Sequence, residues 1–195
     1  MDIIAIENIV RNDTLSQREL MILYREYLKE IIRCRDNVTY DMDYDYQSNT
    51  SNTNCYAYGL GAVIPEWFVE KFDTGYEFYP GVLSSKDMPR TSSDVIEHTY
   101  EDLENLGLFY KSCDPLESTS DGVYKIAIYT ENISFLLQMF GCNTDFHFKR
   151  QNIDGIWSEK LGFGRDICYS KKLKPIDGYD MSLVLKVSND KKKLM

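Results

Sequence analysis

The apolar residues of this chain change their period once. Before residue 108 they recur every three or four positions, and from residue 122 they alternate with polar ones. Apolar side chains repeating near 3.6 share one face of a helix, and those repeating at two share one face of a strand. The stretch 16-SQRELMILYREYLKEIIRCRD-36 places Leu20, Leu23, Tyr24, Tyr27, Leu28, Ile31 and Ile32 in one stripe, behind a Ser16/Glu19 capping box. A second helix is expected in 92-SSDVIEHTYEDLENLGL-108, capped by Ser92 or Ser93 and stopped at Gly107, with His98 at its surface. Between them, 62–90 is broken by Pro and Gly and reads as loop with short irregular elements. Further on, 122-GVYKIAIYTE-131 reads as a strand, 145-DFHFKRQNIDGIWSEKLG-162 as a β-hairpin and 179-YDMSLVLKVS-188 as a closing strand. Residues 132–142 read as a short buried helix or loop. Helices first and an antiparallel sheet second make an α+β fold.

Length fits one compact unit, with residues 1–50 as an N-terminal helix and an acidic, tyrosine-rich loop, and 51–195 as the main domain. A formal charge of −9 argues against nucleic acid or an anionic membrane surface as the main partner. The five cysteines are odd in number and contain no CxxC pair, so neither a secreted disulfide framework nor a structural zinc site is expected. Asp41, Asp43 and Asp45 share the spacing of an EF-hand start, yet the turn glycine is missing and Asn52 stands where Glu belongs. No metal or other cofactor is therefore expected. Without an apolar h-region at the start or any membrane-length apolar run, the expectation is a cytoplasmic protein, or one delivered into another cell without a Sec signal.

Two segments carry possible chemistry. In 52-NTNCYAYGLG-61, Thr53 or Asn54 can cap a short helix beginning at Cys55, and a helix N-terminus favours a thiolate. Taken alone, Cys55 reads as a buried structural thiol, the commoner fate of free cysteine. A thiol enzyme also needs a base and a group to orient it. Of the two histidines, His147 in the strand-like DFHFKRQ is the candidate base, because a helix-borne cysteine followed by a strand-borne histidine is the papain-like order. A type I turn with Gly155 left-handed sets Gln151 against Trp157 and Lys149 against Glu159, leaving His147 on their face and Glu159 in diagonal reach. Asp166 is the rival for that orienting role. Asn49 and Asn54, with Gln151 and Trp157, are the candidates for the oxyanion hole and for substrate contacts, and Gln47 is a further amide near Asn49.

These two segments resemble a largely uncharacterised bacterial group of papain-like, NlpC/P60-related cysteine peptidases, whose pattern reads roughly N-C-Y-A-Y-A-L-G and then D-Y-H-F-Y-R-Q-D-x-D-G-x-W-S-H-K-P-G. Asp145, His147, Phe148, Arg150, Gln151, Asp154, Gly155, Trp157, Ser158, Lys160 and Gly162 fall in register with the second motif. The resemblance covers the chain from about residue 54 to its last strand. It implies a papain-like fold, Cys55 as nucleophile, His147 as base, and a peptide or protein amide as substrate. Gly59 stands where the pattern has Ala, which predicts a helix weakened by roughly 0.5–1 kcal/mol. Glu159 replaces the second His, and Leu161 replaces Pro. A carboxylate at 159 still suits an imidazole partner. The competing expectation is a catalytically weak or inactive papain-like scaffold that binds a partner protein as effector or inhibitor; the same machinery also serves deamidation and acyl transfer.

Overall fold

The computed structural model describes residues 2–12, 14–34, 53–62, 65–71, 78–131, 143–151, 154–162 and 166–195. Five α-helices and six strands are found there: α1 Ile3–Asn12, α2 Gln17–Cys34, α3 Cys55–Leu60, α4 Glu66–Lys71, α5 Ser92–Asn105, β1 Phe109–Ser112, β2 Tyr124–Glu131, β3 Phe146–Gln151, β4 Trp157–Lys160, β5 Ile167–Ser170 and β6 Tyr179–Ser188. The α+β layout is therefore present. The acidic Asp41–Asp45 stretch, Gln47, Asn49 and 132–142 lie outside the described residues.

The strands form one antiparallel sheet in the order β1-β6-β2-β3-β4-β5. The expected last strand is present as β6, and it lies inside the sheet, between β1 and β2. Both β1 and β5 escape a periodicity reading, since each is four residues long. One face of the sheet carries Tyr124, Ile126, Ile128, Phe148, Leu185 and Val187, which share a buried cluster with residues of α1, α2, α3 and α5. Ala127, Tyr129, Trp157 and Val184 form a smaller cluster on the opposite face.

Local sequence explains most of the helices. The Ser16 amide donates to Glu19 at 2.9 Å while the Glu19 amide donates back to the Ser16 hydroxyl at 3.3 Å, so the expected capping box starts α2. For α5 the cap is Thr91, one residue earlier than expected, and Asp94 completes its box. Gly107 at φ +72° takes the left-handed position after α5, and the Leu108 amide returns to the Leu103 carbonyl. His98 is half-buried rather than on the surface, with Nδ1 3.2 Å from the Pro80 carbonyl. The unforeseen α1 buries Ile6 and Val10 in the main cluster, at the i, i+4 spacing of a helix face.

Candidate active site

The segment NCYAYGLG makes α3, and nearly every side chain in it has a placing role. Asn54 is the N-cap: its Oδ1 accepts from the Ala57 amide at 3.0 Å and its Nδ2 donates to the Phe78 carbonyl. Gly61, at φ +71°, ends the helix. Tyr56 donates to Asp102 of α5 at 2.7 Å, and Tyr58 donates to Ser158 of β4 at 2.6 Å. The Tyr124 hydroxyl on β2 donates to the Leu60 carbonyl at 3.1 Å. Three tyrosines thus hold a helix of six residues, too short to be stable alone, against helix and sheet. Asp102 also accepts from the Gly81 amide at 2.9 Å and from the Ser84 hydroxyl, so one buried carboxylate ties α3, α5 and the 80–85 turns together.

The glycine at 59 has a local reason. A Cβ there would lie 2.9 Å from the Phe148 Cβ and 3.2 Å from its Cδ1. Whatever helix propensity glycine costs, it lets α3 approach β3 closely.

That approach sets the cysteine. The Glu131 amide bonds the Asp145 carbonyl, which turns the next carbonyl of β3, that of Phe146, toward the opposite edge. Pairing of β3 with β4 reaches only Lys149↔Glu159, so among the described residues no strand pairs with this edge beyond it. Here the Cys55 Sγ lies 3.8 Å from the Phe146 carbonyl oxygen, and the Phe148 amide also interacts with it. The thiol thus rests beside the backbone of residue 147. Burial pushes it up to about 12 and the Asp145 charge adds to this, while the amides of Phe148, Tyr56 and Cys55 oppose the shift. At neutral pH Cys55 is a protonated thiol.

His147 leaves the strand toward the other face, because Phe146 and Phe148 on either side pack against Tyr56 of α3. The hairpin register is the expected one, with Gln151 against Trp157, Lys149 against Glu159, and Gly155 at φ +78°. The His147 Nε2 lies 2.8 Å from Glu159 Oε2, and Lys149 Nζ lies 3.1 Å from the other carboxylate oxygen. The His147 hydrogen bond and then Lys149 hold the Glu159 carboxyl below the usual carboxylate range, against the effect of burial. A carboxylate can only accept, so Nε2 carries the proton and Nδ1 is the basic nitrogen. No hydrogen bond joins Nδ1 to the Cys55 thiol among the described contacts.

The other sequence candidates fall elsewhere. Asp166 stands beside Lys160, whose charge it favours, while the ion-pair partner of His147 among the described residues is Glu159. Gln151 donates to the Gly155 carbonyl at 2.8 Å, inside its own hairpin. Trp157 is buried in the smaller cluster under the Lys125 ammonium, 5.7 Å from its ring centroid. Asn54 is committed as a cap, and Asn49 lies outside the described residues. Two neighbours were not foreseen. Asp145 accepts from the Phe146 amide at 2.8 Å and from the Tyr179 hydroxyl, next to Cys55. Alternation along DFH puts Asp145 near His147, but Tyr179 arrives from β6, and only the sheet order brings it there.

Residues 45–180 match the model of a family described as a domain of unknown function, DUF7689. The chain belongs to the DUF7689 family. The matched span of this DUF7689 protein holds Cys55, His147, Glu159 and Asp145 together, and begins after α1 and α2. No curated protein and no solved structure gives a significant match. Among the described residues no group of three or more His, Cys, Asp or Glu side chains is placed to hold a metal ion, and no helix is long and apolar enough to cross a membrane.

Proposed function

We propose that this DUF7689 protein is a papain-like thiol hydrolase acting on a peptide or protein amide, with Cys55 as nucleophile, His147 as base and Glu159 as the residue that orients it. The observation that carries the reading is the hairpin geometry. Glu159 holds Nε2–H at 2.8 Å and leaves Nδ1 as the proton acceptor, while Cys55 Sγ lies against the backbone of the same histidine. The reading requires Nδ1 and the thiol to meet once an acyl substrate is in place. Sγ then attacks the carbonyl carbon as its proton passes to Nδ1, and that proton leaves with the departing amine. Water, deprotonated by Nδ1, hydrolyses the thioester and restores the thiol. Because the resting thiol is protonated, catalysis is general-base activation on substrate binding rather than a standing thiolate–imidazolium pair. The described cysteines Cys55, Cys113 and Cys168 are free thiols, which suits a reducing compartment such as the cytoplasm.

One observation favours the second reading, a papain-like scaffold that binds a partner without turnover: burial takes the thiol up to about 12 with no imidazole hydrogen-bonded to it. A proteome-derived peptide library separates the two. Mass spectrometry after incubation is expected to show new termini or Gln-to-Glu conversion, with a thioester on Cys55 trapped by acid quench. Cys55→Ala should abolish both, and His147→Ala should slow turnover by at least about 100-fold. Turnover that survives in Cys55→Ala, or is equal in His147→Ala, would refute the enzymatic reading.

A further inference from the structure

The sheet face turned away from α3 carries a cleft of about 720 Å³. A register shift between Ile128 and Tyr129 of β2 lets β6 skip Ser182, so Met181 faces Tyr129 and Tyr179 faces Glu131. Trp157, Tyr129 and Tyr179 are the aromatic residues of the cleft. Its connection to the site runs through two of them. Tyr129 is the cross-strand partner of His147, and burial, with the Glu159 charge second, raises its phenol. Tyr179 donates to Asp145, and both lie within electrostatic reach of Cys55.

The charge of this cleft runs against that of the protein. The chain carries −9 overall, yet Lys125, Lys171 and Lys172 line the cleft. Of the two acidic lining residues, Glu117 is already paired with Lys186, leaving Asp154. Lys125 is fixed by the Pro115 carbonyl at 2.7 Å and lies over Trp157. Lys171 and Lys172 are exposed, with no carboxylate partner among the described residues. A positive concavity on a negative molecule concentrates anions locally while the rest of the surface repels them. The half-buried Tyr179, over the buried Tyr129 and Trp157, and the exposed apolar surface of Leu116 and Met181 at the margin suit side chains rather than a bare phosphate.

We propose that this cleft seats an acidic peptide segment bearing aromatic or aliphatic residues, and that it delivers the adjoining amide to Cys55. The second half of that statement rests on the hydrolase reading; the first does not. The test uses the full-length Cys55→Ala protein and three fluorescein-labelled peptides of equal length, built from Tyr and Leu with Glu, Gln or Lys, alongside a labelled oligothymidylate. Fluorescence anisotropy should show the Glu peptide binding at least about tenfold more tightly than the Gln peptide, with the preference lost in Lys171→Glu/Lys172→Glu. Its affinity should fall as salt is raised. Equal binding of the Glu and Gln peptides would overturn the proposal, as would unchanged binding in the double variant at normal circular dichroism. Oligothymidylate bound as tightly as the Glu peptide would overturn it in favour of a nucleic-acid site. Binding of the Glu peptide to a protein that turns over no substrate keeps the acidic-peptide site and sinks only the hydrolase reading; turnover without that binding sinks only the cleft.

Discussion

Replacing Gly59 with alanine tests the contact on which the position of Cys55 depends. In an isolated helix the change is favourable by about 0.5–1 kcal/mol. Here the added Cβ would stand 2.9 Å from the Phe148 Cβ, a separation side-chain carbons do not tolerate. Relief cannot come from the phenyl ring alone, because the nearest atom is one bond from the β3 backbone. That backbone is held by the Ile128↔Phe148 register, and the ring is wedged 4.9 Å from Tyr56. Nor can α3 withdraw freely, with Tyr56 bonded to Asp102 and Tyr58 to Ser158. Overpacking in a tight core costs about 1–3 kcal/mol, so the net expectation is a loss of about 0.5–2 kcal/mol. Urea unfolding followed by circular dichroism measures it, read as a lower midpoint at unchanged slope. A Gly59→Ala protein as stable as the parent or more so would refute the argument that close approach governs this position.

Three further outcomes follow from the same site. With its thiol at about 12, Cys55 should react with iodoacetamide far more slowly at pH 7 than the exposed Cys168, a difference that peptide mapping resolves; a labelling midpoint below about pH 9 would contradict the burial described. Glu159 has its pKa lowered in the folded state, so its contribution is present above the unfolded value of about 4.3 and is lost as pH falls through the folded one. Glu159→Gln should therefore flatten the acid limb of stability below about pH 4.5, and an unchanged limb would place the stabilising charge elsewhere. Asp102→Asn replaces one of two oxygens that accept from Tyr56, Ser84 and Gly81 with an NH2 group that can only donate, and should cost about 1–3 kcal/mol in thermal or chemical unfolding; a neutral result would mean that the network rearranges.

Much of this architecture is legible in the chain as written. The 3.6 and two-residue periods announce α2, α5, β2 and the β3–β4 hairpin, because amphipathic elements must bury one face. A turn ending in left-handed Gly155 sets the register that brings Glu159 to His147, since hairpin pairing is decided within a dozen residues. The rival Asp166 lies past the hairpin, beyond the pairing a local turn can set, and only coordinates place it, beside Lys160. The strands β1 and β5 were hidden by their length, and β6 between β1 and β2 by its long-range pairing.

The thiol marks the boundary most clearly. Sequence determined that a cysteine would open a capped helix and that a histidine would follow on a strand, because caps and alternation are local. Only the tertiary structure decided that Gly59 would seat the helix against Phe148, and that the thiol would lie against the edge of β3 beside residue 147. It also decided that burial, with Asp145 adding to it, would keep that thiol protonated. Those outcomes depend on which distant surfaces exclude water together, and desolvation is a property of the packed whole that no stretch of chain carries by itself.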